Sequence, residues 1–228
     1  MLRISTALAA VCLFAPTCFA GGISLNATRI IYQEGQKEAS LTVQNHSQKD
    51  VFLVQSWIDD INGNKKTPFI ITPPLFQMQP NKNNALRIVN INNQLPADRE
   101  SVYWINVKAI PAASEDSAGK NLLQIAVRTR LKLFYRPKDL PGDPASAAKT
   151  LTFTHTGNQL AIDNPSAYVM TFHELNVGGK LIKDPVMVPA KGHLSVKLPA
   201  STGAFSQVQY SIINDFGAAG AQLTQPVR

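Results

Sequence analysis

Cysteine is nearly absent from this sequence: the two present, Cys12 and Cys18, both fall within the first twenty residues. Once that leading segment is set aside, no disulfide can staple the remainder, which must hold its fold by packing. Long apolar runs are equally scarce. The one that stands out lies in MLRISTALAAVCLFAPTCFA, where an early cation (Arg3) precedes an apolar stretch and small residues that end at Ala20. That order reads as a secretory signal peptide, residues 1–20, cut before Gly21, and the run is too short for a comfortable membrane span. No other stretch is long and apolar enough to cross a bilayer, so membrane insertion is not expected.

Motifs of catalysis are missing too. There is no G-x-S-x-G nucleophile elbow and no phosphate-cradling P-loop. The four histidines, His46, His155, His173 and His193, are scattered without metal-ligand spacing. DDINGN (59–64) opens like a calcium loop, but its glycine comes too early and no glutamate closes it. No catalytic residue, metal site or cofactor is therefore assigned, and an enzyme is not expected. Two tryptophans are too few for an aromatic sugar platform. Lysines and arginines number 22 against 15 acids, a net charge of +7, yet no run of five or more forms. Such a spread reads as a solvated basic surface, not as a nucleic-acid footprint.

What the chain does have is strand pattern. Candidate strands recur at 23–32, 39–45, 51–59, 68–72, 85–91, 101–110 and 122–135. Short strands at this spacing, with turn signals between them, suggest a β-sandwich. Asn62-Gly63 predicts a hairpin turn. TPPLFQMQP (72–80) carries three prolines, which confine it to a sheet edge or a connection. After Pro137, KDLPGDPASAAK reads as a linker. Strand patterns then resume from LTFTHT through AYVMTFHELNV to QVQYSIIND, and no helical periodicity of useful length is seen. The fold class expected is all-β: two β-sandwich domains arranged end to end, 21–138 and 148–228, joined by a linker at 139–147.

One segment stands apart. In NLLQIAVRTRLKLFYRP (121–137), Leu123, Ile125 and Val127 alternate with more polar positions, and Arg128, Arg130 and Lys132 follow two apart. A core strand has no obvious use for so many positive charges. Arg29, in ATRIIY, is likewise set at the start of an apolar strand. Cations of this kind near a domain junction would suit a cleft for a carboxylate. Parity alone does not place Lys132, which shares a face with Arg128 and Arg130 unless the strand bulges or switches sheets.

These residues also carry a resemblance. LPADRESVYWINVKAIP (95–111) and LLQIAVRTRLKLFYRP resemble the signature segments of the periplasmic pilus chaperones of the chaperone–usher pathway. NATRIIY, TPPLFQMQP, Asn164-Pro165 in IDNPSAYVMTF, and INDFGAAG fit as well, so the resemblance spans nearly all of residues 21–228. It implies two immunoglobulin-like domains with a cleft between them, in the periplasm. It implies a chaperone that binds and caps pilus or fimbrial subunits by donor-strand complementation and delivers them to an outer-membrane usher without ATP. Leu123, Ile125 and Val127 would be the donor-strand residues, with Asn121 or Leu122 at the upstream margin. Arg29 and Lys132 would anchor the subunit's C-terminal carboxylate. Glu100, Arg136 and Asp215 would form an interdomain charge network. The short loop AASEDSAGKN (112–121) resembles the class associated with rod-like pili. The roles of Arg128 and Arg130, and self-association of the free protein, are left open. The competing readings are an immunoglobulin-like fibre subunit and a secreted binding module. A subunit would carry a donor extension ahead of its first strand, and here the first strand follows the signal almost at once.

Overall fold

The computed structural model describes residues 22–92, 94–112, 123–200 and 202–228. The assigned signal peptide, the two cysteines, Asn121, Leu122 and all but the first residue of the loop 112–121 lie outside the described residues. Nine strands come first: β1 (Ile23–Leu25), β2 (Arg29–Gln33), β3 (Ala39–Asn45), β4 (Phe52–Asp59), β5 (Phe69–Thr72), β6 (Leu75–Met78), β7 (Asn83–Asn90), β8 (Ser101–Pro111) and β9 (Val127–Arg136). A short helix, α1 (Pro144–Ala148), separates them from β10 (Thr152–Thr156), β11 (Gln159–Asn164), β12 (Met170–Val177), β13 (Lys180–Leu181), β14 (Met187–Val188), β15 (Gly192–Lys197), β16 (Gln207–Ile212) and β17 (Leu223–Pro226).

The first nine strands form two sheets, in the orders β1-β3-β7-β5 and β2-β9-β8-β4-β6. Their shared core holds Leu41, Val43, Val54, Leu86, Ile88, Ile105, Leu131 and Leu133. Inward residues alternate as one buried face requires: Ala39, Leu41, Val43 and Asn45 in β3, and Val54, Ser56 and Ile58 in β4. Tyr32, Phe69, Tyr103 and Tyr135 pack edge to face or tilted at one end of this core. The second domain repeats the plan with β10-β11-β15 facing β13-β12-β16-β17, and β14 also pairs with β12. Its core is separate, built on Phe153, Leu160, Ile162, Met170, Leu175, Val208 and Tyr210. With neither core holding a cysteine, apolar packing does the work alone.

Several sequence expectations need correction. The strand expected over 23–32 is two strands in different sheets: β1 pairs β3, whereas β2 pairs β9 in parallel. The chain crosses between sheets at Asn26–Thr28, where the Asn26 Oδ1 accepts the Thr42 amide hydrogen at 2.8 Å. Asn62-Gly63 does form a turn, with Gly63 at φ 86°, but not a hairpin. The strands flanking it, β4 and β5, join different sheets. The expected linker 139–147 contains most of α1. Asp143 caps that helix by accepting the Ala145 and Ser146 amides, Pro144 starts it, and Ala147 and Ala148 are buried in the second core. Five residues give no periodicity to read. TPPLFQMQP supplies β6, an edge strand, in agreement with its prolines.

Candidate functional site

β9 divides into two halves that differ in environment. Its inward row begins with Leu131, Leu133 and Tyr135, which are 4%, 0% and 5% exposed in the first core. Upstream, Val127 opens β9, and Ile125 and Leu123 lie in the segment just before it, which the expected strand 122–135 included but which is not strand; the three are 60%, 65% and 87% exposed. Apolar residues two apart are thus core on one side of the exposed Thr129 and open to solvent on the other. The backbone divides at the same place. β8 pairs with β9 from Val127 to Tyr135, but β2 pairs only from Lys132 to Arg136. From Val127 to Leu131, β9 has no described strand on its second side, which leaves backbone donors and acceptors unpaired along that edge.

The open edge ends at two cations. Arg29, the first residue of β2, stands opposite Lys132 in the register. The register of β9 on β8 is unbroken, so Arg128, Arg130 and Lys132 share the outward face, opposite Lys108, Asn106 and Trp104. No bulge separates them; what distinguishes Lys132 is its place in the interdomain crevice. The Arg29 guanidinium lies 5.5 Å from the Phe134 ring centroid, and the Lys132 ammonium 5.7 Å from that of Trp104. Each also reaches the second domain. Arg29 Nη1 donates to the Ile213 carbonyl at 3.3 Å, and Lys132 Nζ to Thr171 Oγ1 at 3.1 Å. Arg29 Nε is buried with no hydrogen-bond partner among the described residues. Burial pushes the Lys132 ammonium down to about 8, and the charge of Arg29 adds to that. Burial likewise lowers Arg29, against the pull of Asp215 and Glu100. Two half-buried cations side by side are of the chemical type that suits an anion with two oxygens.

Arg130 and Arg128 have other surroundings. Arg130 stacks on Trp104 at 4.2 Å and pairs with Asp59 at 3.3 Å, which ties it to its own sheet. Arg128 is exposed beside Lys108.

Glu100, Arg136 and Asp215 are brought together. Arg136, at the end of β9, donates through Nε to Glu100 at 2.6 Å and through both Nη atoms to Asp215 at 2.6 and 2.8 Å. The guanidinium lies 5.4 Å from the Tyr168 ring centroid. Glu100 is 5% exposed, and burial pushes its carboxyl up against the opposing pull of Arg136. Its other oxygen accepts the Val169 amide of the second domain at 2.8 Å. Further cross-domain contacts carry no readable sequence signal: Lys191 pairs with Asp98 at 2.8 Å, and the Glu100 amide donates to the Ala167 carbonyl. Gly217, at φ 86°, comes so close to Thr28 that a Cβ there would overlap the Thr28 hydroxyl. Among the described residues no group of metal-ligating side chains gathers, and no helix is long and apolar enough to cross a membrane.

Comparison with known proteins places this architecture. Residues 22–141 match the family described as "Pili and flagellar-assembly chaperone, PapD N-terminal domain", and residues 146–223 match "Pili assembly chaperone PapD, C-terminal domain". The chain is similar to the chaperone protein LpfB of Salmonella typhimurium, 60% identical over 98% of this chain and 97% of that protein. Among solved structures it is similar to the periplasmic chaperone SfaE, with 42% identity, a TM-score of 0.77 and coverage of 89% of this chain and 98% of that one. It is also similar to the SafB chaperone of Salmonella enterica in complex with the SafA pilin, with 31% identity, a TM-score of 0.82 and coverage of 93% and 98%. A two-sandwich fold, both family regions and this degree of identity lead to one conclusion: the chain belongs to the PapD family of pilus-assembly chaperones.

Proposed function

We propose that this protein captures fimbrial subunits in the periplasm by lending them the open half of β9 and the segment just before it, holds the subunit's C-terminal carboxylate between Arg29 and Lys132, and passes the subunit to an outer-membrane usher. The observation that carries the reading is the coincidence of three things on one segment: the exposed row Leu123, Ile125 and Val127, the unpaired edge beside it, and the two cations that close it. Strand addition to such an edge is a general mode of recognition, of which donor-strand complementation between chaperone and pilin is itself a known instance. The SafB structure, solved with the SafA pilin, supports a subunit as the partner.

The geometry also supports a strand direction. A partner strand on the open edge lies in line with β2 and stops where β2 begins. If its last residue is the one held at Arg29 and Lys132, it runs parallel to β9. The three apolar side chains then enter the partner's core, worth about 5–9 kcal/mol before ordering losses. Backbone pairing adds affinity without regard to which subunit is bound, and the carboxylate fixes the register. No nucleotide is needed, because the exchange of one donor strand for another drives release. In this reading Glu100, Arg136 and Asp215 hold the two domains at the angle that forms the cleft.

The test is mass spectrometry of what co-purifies with the tagged protein from native periplasm, beside the Arg29→Ala/Lys132→Ala double variant. Small β-rich secreted proteins in one-to-one complexes, lost from the variant, are expected. Equal recovery by a folded variant would remove the carboxylate anchor from the reading.

A further inference from the structure

The two cations at the end of the open edge form one rung of the first domain's sheet, Arg29 opposite Lys132. Their two acceptors form a corresponding rung of the second domain's sheet. Thr171 and Ile213 are neighbours there, with the Ile213 amide donating to the Thr171 carbonyl at 2.8 Å. A rung of donors thus faces a rung of acceptors across the cleft, through the 3.3 Å and 3.1 Å bonds of Arg29 and Lys132. The Ile213 contact uses a main-chain oxygen, whereas the Thr171 contact uses a hydroxyl that is replaceable by substitution.

A lysine has four rotatable side-chain bonds and no fixed fork, so its ammonium takes its place only from its partners. Lys132 has few. Trp104 flanks it from β8, Arg29 repels it from β2, and Glu100 and Asp215 lie toward Arg29. Thr171, on β12, is its described hydrogen-bond acceptor and is itself 5% exposed, held in the β12–β14 pairing opposite Met187. We infer that Thr171 is the positioning residue of the carboxylate anchor: the second domain, through this hydroxyl, holds the Lys132 ammonium in the cleft where a subunit's terminal carboxylate meets it. The inference rests on the anchor reading above and adds to it the source of the lysine's placement.

An acceptor on a half-buried ammonium favours its charged form. Capture of a carboxylate needs that form, so binding weakens as pH rises through the lysine's titration. Loss of the Thr171 hydroxyl moves this alkaline limb to lower pH. Serine, which keeps the oxygen, leaves it in place.

The experiment measures binding of a synthetic strand peptide of alternating valine and threonine, with a free C-terminal carboxylate or a C-terminal amide, to the full-length protein from pH 6 to 9.5. Wild type, Thr171→Val and Thr171→Ser are compared. Wild type is expected to prefer the carboxylate. Thr171→Val should lose roughly tenfold of that preference at neutral pH and show its alkaline limb at lower pH, while Thr171→Ser should match wild type. A valine variant with wild-type preference and profile overturns the inference and leaves the anchor intact. A serine variant as defective as valine also overturns it, because the threonine then acts by packing. A wild-type protein that binds both peptides equally overturns the anchor itself.

Discussion

Ile125→Asp separates the open segment ahead of β9 from the buried part of that strand. In the free protein Ile125 is 65% exposed, so little of it is buried and a charge there stays in water. Folding stability should change by less than about 1 kcal/mol, the range of surface substitutions. On the proposed strand donation, the same position is enclosed in a subunit's groove. Loss of the isoleucine removes about 1.5–3 kcal/mol of apolar burial, and the carboxylate adds several more for its own desolvation. The sum exceeds about 4 kcal/mol, or about a thousandfold in affinity. Leu133 is the internal control: it lies eight residues along, in the core, and is 0% exposed, so Leu133→Ala should cost about 2–5 kcal/mol of stability. Urea unfolding reads the first quantity, and competition for a purified subunit reads the second. A stability loss in Ile125→Asp comparable to that of Leu133→Ala, with subunit capture intact, would refute the division.

Three other outcomes are expected. Lys132 falls from 10.5 to about 8 on folding, so between those values the unfolded chain holds more protons and native stability rises with pH. Its penalty is fully present below about pH 8. Lys132→Met should therefore be the more stable protein at pH 7, by about 1 kcal/mol after allowance for solvent screening, with the gap closing by pH 10.5 in urea titrations. Glu100→Ala strands the Val169 amide and one edge of Arg136, and should cost about 2–4 kcal/mol by calorimetry; a loss under about 0.5 kcal/mol would show the cluster to be solvated. Gly217→Ala combines a positive φ with an overlap against Thr28, and should cost about 1–3 kcal/mol and loosen the interdomain angle seen by small-angle scattering.

Alternation made most of the first domain legible. β3 and β5 begin and end within a residue of the expected segments, because a half-buried strand must repeat every two residues. The same signal could not show that 23–32 changes sheets, since both halves are equally apolar and the difference lies in which neighbour each finds. The turn at Asn62-Gly63 was readable, but its flanking strands were not pairable from composition. α1 escaped because five residues rich in alanine and proline look like a linker until Asp143 is seen capping them. At the site, the donor row and the cations were visible as residue types. That Arg29 and Lys132 share a rung, and that Arg136 receives Glu100 and Asp215 from two domains, is a matter of register and packing. The acceptors opposite the cations, a carbonyl and a buried threonine, belong to no motif. The match of both halves of the chain to the pilus-chaperone family agrees with what the long segments at 95–111 and 122–137 had suggested.

β2 begins at Arg29, so the line it occupies beside β9 is closed at that end and open at the other. A chain held there by its final carboxylate is measured from its last residue. One residue missing or added shifts every side chain upstream by one place and turns the other face toward the row at Leu123, Ile125 and Val127. On the proposed anchor, the closed end of the edge makes the register of a bound strand depend on where that chain ends, and a chain shorter or longer by one residue would offer its other face.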